Sequence, residues 1–299
     1  MDKSDAMKKA RQINLPSESY RFSHRLRVRW AEVDMQKIVF NAHYLMYFDS
    51  AIGDYWRTLA LPYEEAMLLL GGELYLKKSS VEHHASARFD DQLDVAMRCQ
   101  KIGNSSIVFQ GAIYRGDALL ATCELIYVFA DPSSQRSCPV PVALRQVLEN
   151  FENGLPVLTL KTGSWEDLSQ DAMAIRVEVF VDEQLIPLEL ENDADDEGAF
   201  HAVAYNGIGQ VIATGRLLKS EQGQGRIGRM AVKRVLRGSG QGAAVLAALL
   251  TEAVLRGDHE LALHAQTRAQ GFYERLGFKA RGDIFDEVCL PHIEMFLAL

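Results

Sequence analysis

Hydrophobic and polar positions alternate strictly in the segment HRLRVRW, which begins at His24. Leu26, Val28 and Trp30 fall on one side of the alternation and the arginines on the other, which predicts a half-buried strand. In the next periodic segment, AHYLMYFDSAIGDYWRTL, apolar residues recur at helical spacing and predict one long helix. A short helix, PYEEAMLLL, follows and ends at a pair of glycines.

Four further segments have the pattern of strands: LYLKKSSVEHHASA, QLDVAMRCQKIG, SIVFQGAIYRG and ALLATCELIYVFAD. The turn-forming pairs Gly103-Asn104 and Gly116-Asp117 separate the last three. A closing helix is predicted over Val140–Glu152. One strand, a long helix and a run of antiparallel strands make an α+β arrangement.

The pattern changes after Asn153-Gly154-Leu155-Pro156, which has the composition of a linker. A helix over Asp167–Asp182 and an acidic loop come next, followed by the strands HAVAYN, QVIATGRLL and RIGRMAV. After a glycine-rich turn, the predicted elements are the helix AAVLAALLTEAVLRG, the strand ELALHAQ, the short helix AQGFYERLG and a final strand near HIEMFL. We therefore predict two domains, over residues 20–152 and 157–299.

Length and charge agree with two different domains. The chain has 299 residues, and a domain has about 150. Residues 1–152 hold 18 basic and 19 acidic side chains, and residues 153–299 hold 14 and 21, so the net charge of −8 lies almost entirely in the second half. This charge argues against nucleic acid as a partner. No stretch approaches the roughly 20 apolar residues of a membrane span, and the polar N-terminus does not resemble a signal peptide. We expect a cytoplasmic protein with no membrane partner.

The cysteines and paired histidines do not suggest a metal. Cysteines 99, 123, 138 and 289 lack C-x-x-C spacing, so we expect them to be reduced and mostly buried. His83 and His84 are neighbours in a predicted strand, where adjacent side chains point to opposite faces. The sequence therefore predicts neither a metal site nor a redox cofactor.

Candidate chemistry in the first half centres on Asp34, in the loop that enters the long helix. The unpaired amides at a helix N-terminus favour negative charge and can polarise a carbonyl oxygen. Asp34 could then attack a thioester carbonyl or activate a water, while amides around Asn41, His43 and Tyr44 hold the oxyanion. A loop aspartate before a helix is also a common cap or turn residue.

The segment VRWAEVDMQKIVFNAHYLMYFD resembles the signature of the 4-hydroxybenzoyl-CoA thioesterase family of hotdog folds. The resemblance covers about residues 20–150 and implies a long helix wrapped by an antiparallel sheet. It also implies that Asp34 is the catalytic carboxylate, as nucleophile or base, and that a homo-oligomer forms through this domain. Lys37 departs from the pattern, because many members have Gly there. A hotdog domain that binds acyl-CoA without hydrolysing it is the alternative.

The most informative segment of the second half is IGRMAVKRVLRGSGQGAAVLAALL, in which a strand, a glycine-rich turn and a helix follow one another. Glycines allow backbone amides to approach a ligand closely, and the helix N-terminus favours anions. Five basic side chains lie within twelve residues here: Arg226, Arg229, Lys233, Arg234 and Arg237. The spacing is not that of a P-loop, and a dinucleotide fold would carry such a turn at its first strand. The expected ligand is a pyrophosphate.

The R-x-x-G-x-G pattern and GFYERLGF make residues 158–299 similar to the GNAT acyltransferases, which implies a mixed α/β fold. The resemblance implies that the coenzyme A site contains Met230, Val232, Arg237, Gly238, Ser239, Gly240, Gln241 and Gly242. It also implies that Tyr273 protonates the leaving thiolate, a role that suits a phenol of pKa ~10; packing beside Phe272 and Phe278 is the alternative. The front of this half resembles a bacterial GNAT subgroup and, less closely, the acyl-homoserine lactone synthases.

Eight acidic residues and no basic ones lie between Asp182 and Glu197. Such a run is usually a solvated loop, but it could also attract a cationic amine acceptor. In the second case, neutralising Asp193, Asp195 or Asp196 should raise the KM for the amine. Glu178, Glu183 and His264 are the candidate general bases, and the sequence does not choose among them.

Both halves point to acyl-CoA. The sequence predicts a bifunctional enzyme that hydrolyses a thioester in its first domain and transfers an acyl group to an amine in its second. The partners are acyl-CoA and a small-molecule or protein amine, with no cofactor beyond coenzyme A. The rival hypotheses are an acyl-CoA sensor with one or both sites silent, and a lactone synthase.

Overall fold

The computed structural model describes residues 19–191 and 193–299, and the side chains of all of these except residues 219–221. The chain divides into two compact units, Met1–Val157 and Leu158–Leu299. No helix in the described part of the chain is long and apolar enough to cross a membrane.

The described residues of the first unit form five strands and three α-helices. The strands are β1 (Phe22–Arg27), β2 (Glu73–His83), β3 (Gln92–Ile102), β4 (Ser106–Arg115) and β5 (Ala118–Ala130); the helices are α1 (Asn41–Thr58), α2 (Tyr63–Leu70) and α3 (Val142–Glu152). The strands form one sheet in the order β1-β3-β4-β5-β2, with every neighbouring pair antiparallel. The predicted α+β arrangement is confirmed.

Helix α1 packs its apolar stripe against this sheet. Phe48, Tyr55 and Trp56 are buried, and the rings of Tyr55 and Trp56 lie 5.6 and 6.1 Å from that of Phe109 on β4. The approach is closest at Gly111, where a Cβ atom would come within 2.7 Å of the Phe48 ring. This close packing requires a glycine in the middle of β4, and it fixes the depth at which α1 lies.

Two expectations, one about the first strand and one about the cysteines, were wrong in detail. Strand β1 ends at Arg27, and Trp30 lies in a 3-10 turn (Trp30–Glu32) with its side chain 75% exposed, so it does not continue the buried face. The cysteines are free, but of the four only Cys123 is fully buried and Cys289 is exposed. Burial raises the pKa of the Cys99 thiol to about 12, so this thiol stays protonated at neutral pH.

The second unit contains a seven-stranded sheet. Its strands are β6 (Leu158–Gly163), β7 (Phe200–Asn206), β8 (Val211–Glu221), β9 (Gln224–Val232), β10 (Glu260–Gln266), β11 (Lys279–Glu287) and β12 (Leu290–Ala298), in the order β11-β12-β10-β9-β8-β7-β6. The helices are α4 (Trp165–Arg176), α5 (Leu188–Glu191), α6 (Gln241–Leu255) and α7 (Gln270–Glu274). This mixed α/β sheet confirms the predicted fold class.

The predicted helix over Asp167–Asp182 is only partly right. Helix α4 begins and ends earlier than predicted, and Ser164 caps it by accepting a hydrogen bond from the Asp167 amide. The chain then continues as a π-helical turn over Val177–Glu183. Turns of this kind are frequent at functional sites.

Strands β9 and β10 are parallel, and they part halfway along their length. Their pairing runs from Gln224 and Glu260 to Ile227 and Leu263 and then stops. A register shift against β8 and the left-handed backbone of Arg229 (φ +50°) bend β9 just beyond this point. A wedge therefore opens between the two strands.

Candidate functional site

The first candidate site surrounds Asp34, which begins a tight turn. The Asp34 amide donates to the Ile38 carbonyl and the Lys37 amide donates to the Asp34 carbonyl, both over 2.9 Å. The Asp34 Oδ1 accepts a 2.7 Å hydrogen bond from the Gln36 amide. The other carboxylate oxygen, Oδ2, takes no hydrogen bond from the described residues and is left for a ligand.

Lys37 holds the left-handed conformation in this turn, with φ +61°. Glycine adopts that conformation without strain, and another residue pays about 1 kcal/mol. The preference of the resembling family for glycine at this position therefore has a structural basis here. The turn keeps its shape with a lysine in place.

A cavity of about 570 Å³ joins Asp34 to the start of α1. It brings together two of the residues predicted for the oxyanion site, Asn41 and Tyr44. His43 does not line the cavity, which corrects that prediction; its ring packs against Phe40, and its buried Nδ1 has no hydrogen-bond partner among the described residues.

The helix start provides fewer free amides than predicted. The His43 amide already donates to the Phe40 carbonyl over 2.9 Å. The amides of Asn41 and Ala42 have no backbone partner within the described chain, and Phe40 caps the helix without a side-chain hydrogen bond. These two amides are the available oxyanion donors.

His83 and His84 both line the Asp34 cavity, which the sequence argument did not foresee. Strand β2 ends at His83 and the chain bends there, so the strict alternation of strand side chains no longer applies to this pair. The His83 ring lies 4.8 Å from that of Tyr44, and His84 Nε2 lies 3.1 Å from the Thr122 hydroxyl. No group of three potential metal-binding side chains occurs in the described ranges.

Buried polar contacts fix the turn to the helix. The carboxylate of Glu32 accepts hydrogen bonds from the Arg29 amide (2.8 Å) and the Tyr47 hydroxyl (2.7 Å). Burial by itself favours the neutral acid, but these bonds outweigh it and hold the pKa of Glu32 below its usual range. The Tyr44 hydroxyl accepts a 2.9 Å bond from the Ala87 amide on the far side of the cavity.

The second candidate site occupies the wedge between β9 and β10. A cavity of about 550 Å³ is lined by Met230, Val232, Arg237, Gly238, Gly240 and Gly242, all of them predicted from the sequence. Gly238 (φ +84°) and Gly240 (φ +99°) hold left-handed conformations that side chains disfavour, and Gly240 is the N-cap of α6. The turn thus exposes backbone amides to the cavity at a helix N-terminus.

The side chains of Ser239 and Gln241 do not line this cavity. The Ser239 hydroxyl donates to the Leu236 carbonyl (2.6 Å) and to Gln241 Oε1 (3.0 Å), and Gln241 is buried. Their side chains stabilise the turn, so only their backbone groups remain for a phosphate.

Among the five clustered basic residues, only Arg237 lines this 550 Å³ cavity. Two other arginines that the sequence argument missed, Arg268 and Arg275, line it as well. Arg237 is held by Glu183, at the end of the π-helical turn, through two hydrogen bonds of 2.7 and 2.6 Å. The Arg237 guanidinium accordingly holds the pKa of the Glu183 carboxyl below its usual range.

Tyr273 lies at the junction of the 550 Å³ cavity with a second cavity of about 440 Å³. Met230 and Gln266 line both cavities too. Burial raises the pKa of Tyr273 to about 12, so its hydroxyl keeps its proton at neutral pH. The Tyr273 phenol is therefore a weaker acid than the phenol of pKa ~10 that the sequence argument assumed. It is also a weaker acid than an unperturbed thiol, whose pKa is ~8.5.

The acidic run between Asp182 and Glu197 is partly solvated and partly engaged in ion pairs, with four of its eight carboxylates exposed. Asp196 is fully buried and lies 2.8 Å from Arg176 Nη1 and 2.7 Å from Arg216 Nη1. Glu191, also buried, pairs with Arg176, and Asp193 contacts Arg216 at 2.6 Å. Burial favours neutral Asp196, but the two guanidinium groups dominate and lower its pKa. These groups form an internal ion network that holds the acidic segment to β8.

Of Asp193, Asp195 and Asp196, the ion network leaves only one carboxylate that could attract an amine acceptor. Asp195 is exposed, lines the 440 Å³ cavity, and has no ion-pair partner among the described residues. Asp193 also lines that cavity but is occupied by Arg216 and Arg229, and Asp196 does not line it. The hypothesis of an amine-attracting surface therefore narrows to Asp195.

Comparison with known proteins gives one family for each unit. Residues 165–299 match the acetyltransferase (GNAT) domain, and residues 28–148 match the thioesterase-like superfamily. The chain is 33% identical over 131 residues to the uncharacterized N-acetyltransferase YjcF of Bacillus subtilis, covering 44% of this chain and 92% of that protein. It is 34% identical over 129 residues to the UPF0039 protein Rv2851c of Mycobacterium tuberculosis, covering 42% and 81%.

Among solved structures, the chain is similar to Slr0204, a 1,4-dihydroxy-2-naphthoyl-CoA thioesterase from Synechocystis. The two share 17% identity over 44% of this chain and 97% of that one, with a TM-score of 0.41.

We expect Asp196→Asn to lower the free energy of unfolding of the second unit by about 3–5 kcal/mol, because it removes the carboxylate charge that Arg176 and Arg216 share and leaves one buried positive charge of the network uncompensated. Asp195→Asn is the matched control: the same change in the adjacent, exposed residue should stay within about 0.5 kcal/mol of the wild type. Urea denaturation followed by fluorescence and circular dichroism measures both. Equal stabilities of the two variants would show that the network is not a structural requirement.

Proposed function

We propose that the chain, which belongs to the GNAT acetyltransferases through residues 165–299 and matches the thioesterase-like superfamily over residues 28–148, is a bifunctional acyl-CoA enzyme. The first unit hydrolyses an acyl-CoA thioester, and the second transfers an acyl group from coenzyme A to an amine. The observation that carries this proposal is a cavity in each unit that is built on a helix N-terminus, with a carboxylate beside one and three arginines in the other.

In the first unit, Asp34 initiates hydrolysis. Its free Oδ2 removes a proton from a water molecule, and the water oxygen attacks the thioester carbonyl carbon. The amides of Asn41 and Ala42 stabilise the oxyanion, the C–S bond breaks, and the proton returns from Asp34 to the departing thiolate. The apolar side chains of Met35, Val39 and Phe40 border the same cavity and offer a surface to the acyl group.

Asp34→Asn should lower the kcat for thiol release at least 100-fold, because an amide cannot act as a base, while the Kd for acyl-CoA changes less than threefold. Asparagine retains the oxygen that accepts the Gln36 amide, so the turn should persist. Thiol release from a panel of acyl-CoAs, together with calorimetric binding, tests this. Glu64→Gln, in an exposed carboxylate on α2, is the control for losing a charge. A wild-type chain that binds acyl-CoA and releases no thiol would make this unit a binding domain.

In the second unit, the coenzyme lies along the wedge. Beyond Ile227, β9 no longer pairs with β10, so backbone groups at that edge are open to the amides of pantetheine. The glycine turn and the N-terminus of α6 receive the pyrophosphate, with Arg237, Arg268 and Arg275 around it. The thioester then reaches Met230 and Tyr273, where the two cavities meet.

Tyr273→Phe should lower the kcat for acyl transfer about 10²–10⁴-fold and leave coenzyme A binding within threefold, since only a proton donor is lost. The reason is that the Tyr273 hydroxyl protonates the sulfur as the C–S bond breaks. Tyr205→Phe is the matched control, because that hydroxyl contacts Asp171 and lies outside both cavities. Transfer at wild-type rate in Tyr273→Phe would assign Tyr273 to packing. Hydrolysis by the first unit should persist in both variants.

We also propose that the chain forms a homo-oligomer through its first unit, with a dimer as the basic assembly. Strand β2 is an edge of the sheet, spans 11 residues, and exposes Tyr75 and Leu76. A long edge strand with exposed apolar side chains is a template for pairing with a second copy. Met35, beside Asp34, is wholly exposed as well.

Light scattering should give a mass of at least twice the 33.4 kDa chain. Leu76→Lys should shift the equilibrium towards the monomer, because it places a charge in the pairing surface. Leu69→Lys, at an equally apolar and exposed position on α2, should leave the mass unchanged. A monomeric wild type at micromolar concentration would contradict the proposal.

A further inference from the structure

The structure separates the three residues that sequence alone left open as the base for the amine acceptor. Glu178 pairs with Lys233, and Glu183 is held by Arg237 through two hydrogen bonds. Both carboxylates are therefore engaged by cations. His264 is the third candidate.

His264 occupies the point where the sheet opens. It follows Leu263, the last residue of β10 that pairs with β9. Its side chain lines the 440 Å³ cavity, which also contains Met230 and Tyr273. Because these two residues line the coenzyme cavity as well, a group bound beside His264 lies next to the place where the thioester arrives.

Glu287, on β11, orients the imidazole. Its Oε2 lies 2.8 Å from His264 Nδ1, and the Phe285 ring packs on the imidazole at a centroid distance of 4.8 Å. A hydrogen bond from Nδ1–H to this carboxylate leaves the lone pair on Nε2. Arg226 Nη2 lies 2.9 Å from Nδ1 and 3.2 Å from Nε2, so it contacts the imidazole beside both ring nitrogens.

The charged groups around the imidazole are few. Glu287 on β11 and Arg226 on β9 contact it directly. Glu294, its register partner on β12, is paired with Arg281 at 2.5 Å. His292, also on β12, lines the same cavity and directs its Nδ1 at the Leu290 carbonyl over 2.8 Å.

We propose that His264, positioned by Glu287, is the general base that activates a primary amine in the 440 Å³ cavity. This assignment rests on the proposed acyl transfer. The amine enters as an ammonium ion, displaces Arg226 from beside the imidazole, and gives one proton to Nε2. The neutral amine then forms the N–C bond at the thioester carbonyl. As the C–S bond breaks, Tyr273 protonates the sulfur and regains a proton from the new amide nitrogen, and the imidazolium releases its proton to solvent.

A base is required because an alkylamine has a pKa of about 10 and is almost entirely protonated at neutral pH. Histidine is the side chain whose charge ordinarily changes between pH 5 and 8. Two effects on the pH profile follow. First, kcat/KM should fall at low pH, where the base is protonated. Second, the rate should no longer depend on the base at a pH where the amine is already neutral.

The test is acyl transfer from acetyl-CoA to a panel of primary amines between pH 5.5 and 10.5, by the full chain. At pH 7, His264→Gln should transfer about 10²–10⁴-fold more slowly than the wild type, with coenzyme A binding unchanged within threefold. The ratio of the wild-type rate to the His264→Gln rate should fall at least tenfold above the pKa of the amine. The acid limb should disappear from the kcat/KM profile of the variant. Glu287→Gln should keep an acid limb at reduced kcat, as expected of a positioning residue.

His259→Gln is the matched control, because His259 is an exposed histidine of the same unit outside both cavities. A His264→Gln variant with wild-type rates and an unchanged pH profile would overturn the assignment and leave the transfer activity intact. A wild-type chain that binds coenzyme A and acylates none of the amines at any pH would overturn the transfer activity and the assignment together.

Discussion

Backbone groups without partners determine where both candidate sites lie. A helix leaves its first amides unpaired, and two strands that separate leave a row of donors and acceptors facing each other across a gap. In the first unit, Asn41 provides such an amide at the cavity beside Asp34, and Ala42, the next residue of the helix, provides another. In the second, the parting of β9 and β10 after Ile227 and Leu263 creates the wedge. A ligand with its own amides and phosphates satisfies these groups.

The wedge keeps its shape because an internal ion network fixes one of its walls. The acidic segment after the π-helical turn would repel itself in isolation. Arg176 and Arg216 neutralise it from α4 and β8, and Arg229, at the bend of β9, contacts Asp193 at 2.8 Å. The bend that opens the sheet and the loop that covers the opening are therefore tied together. Removing one charged side chain of this network destabilises the fold, because it leaves the others buried without full charge compensation.

Sequence periodicity was sufficient to predict the central helix and strands, and it failed to predict the edge strands of the second sheet and the end of β1. Helix α1 and strands β3–β5 were predictable because their buried faces produce regular patterns. Strands β6 and β11 were missed since they are the two edges of the seven-stranded sheet, where nearly every side chain is exposed or half-exposed. Trp30 continued an alternation that the strand did not follow.

For the sites, local motifs pointed to the glycine turn and Asp34 because each is a continuous segment, and both segments line cavities in the structure. Long-range pairing was out of reach. The network partners of Asp196 lie 20 residues away on either side, at Arg176 and Arg216. Arg268 and Arg275 line the 550 Å³ cavity from the segment that follows β10. They are far from the glycine-rich turn in sequence, so counting the basic residues around that turn could not include them.

The ion pair between Arg237 and Glu183 makes occupancy of the coenzyme cavity an exchange reaction. Before any phosphate arrives, the guanidinium already holds a carboxylate through two hydrogen bonds. An incoming anion gains only the difference between its own bonds and those it replaces. A small singly charged anion forms bonds to Arg237 that are no stronger than those of the Glu183 carboxylate, so it gains little binding free energy. A pyrophosphate gains more, because it carries more charge and more acceptor oxygens. The resident carboxylate thus acts as a selectivity threshold, which lowers absolute affinity and excludes the commonest competitors.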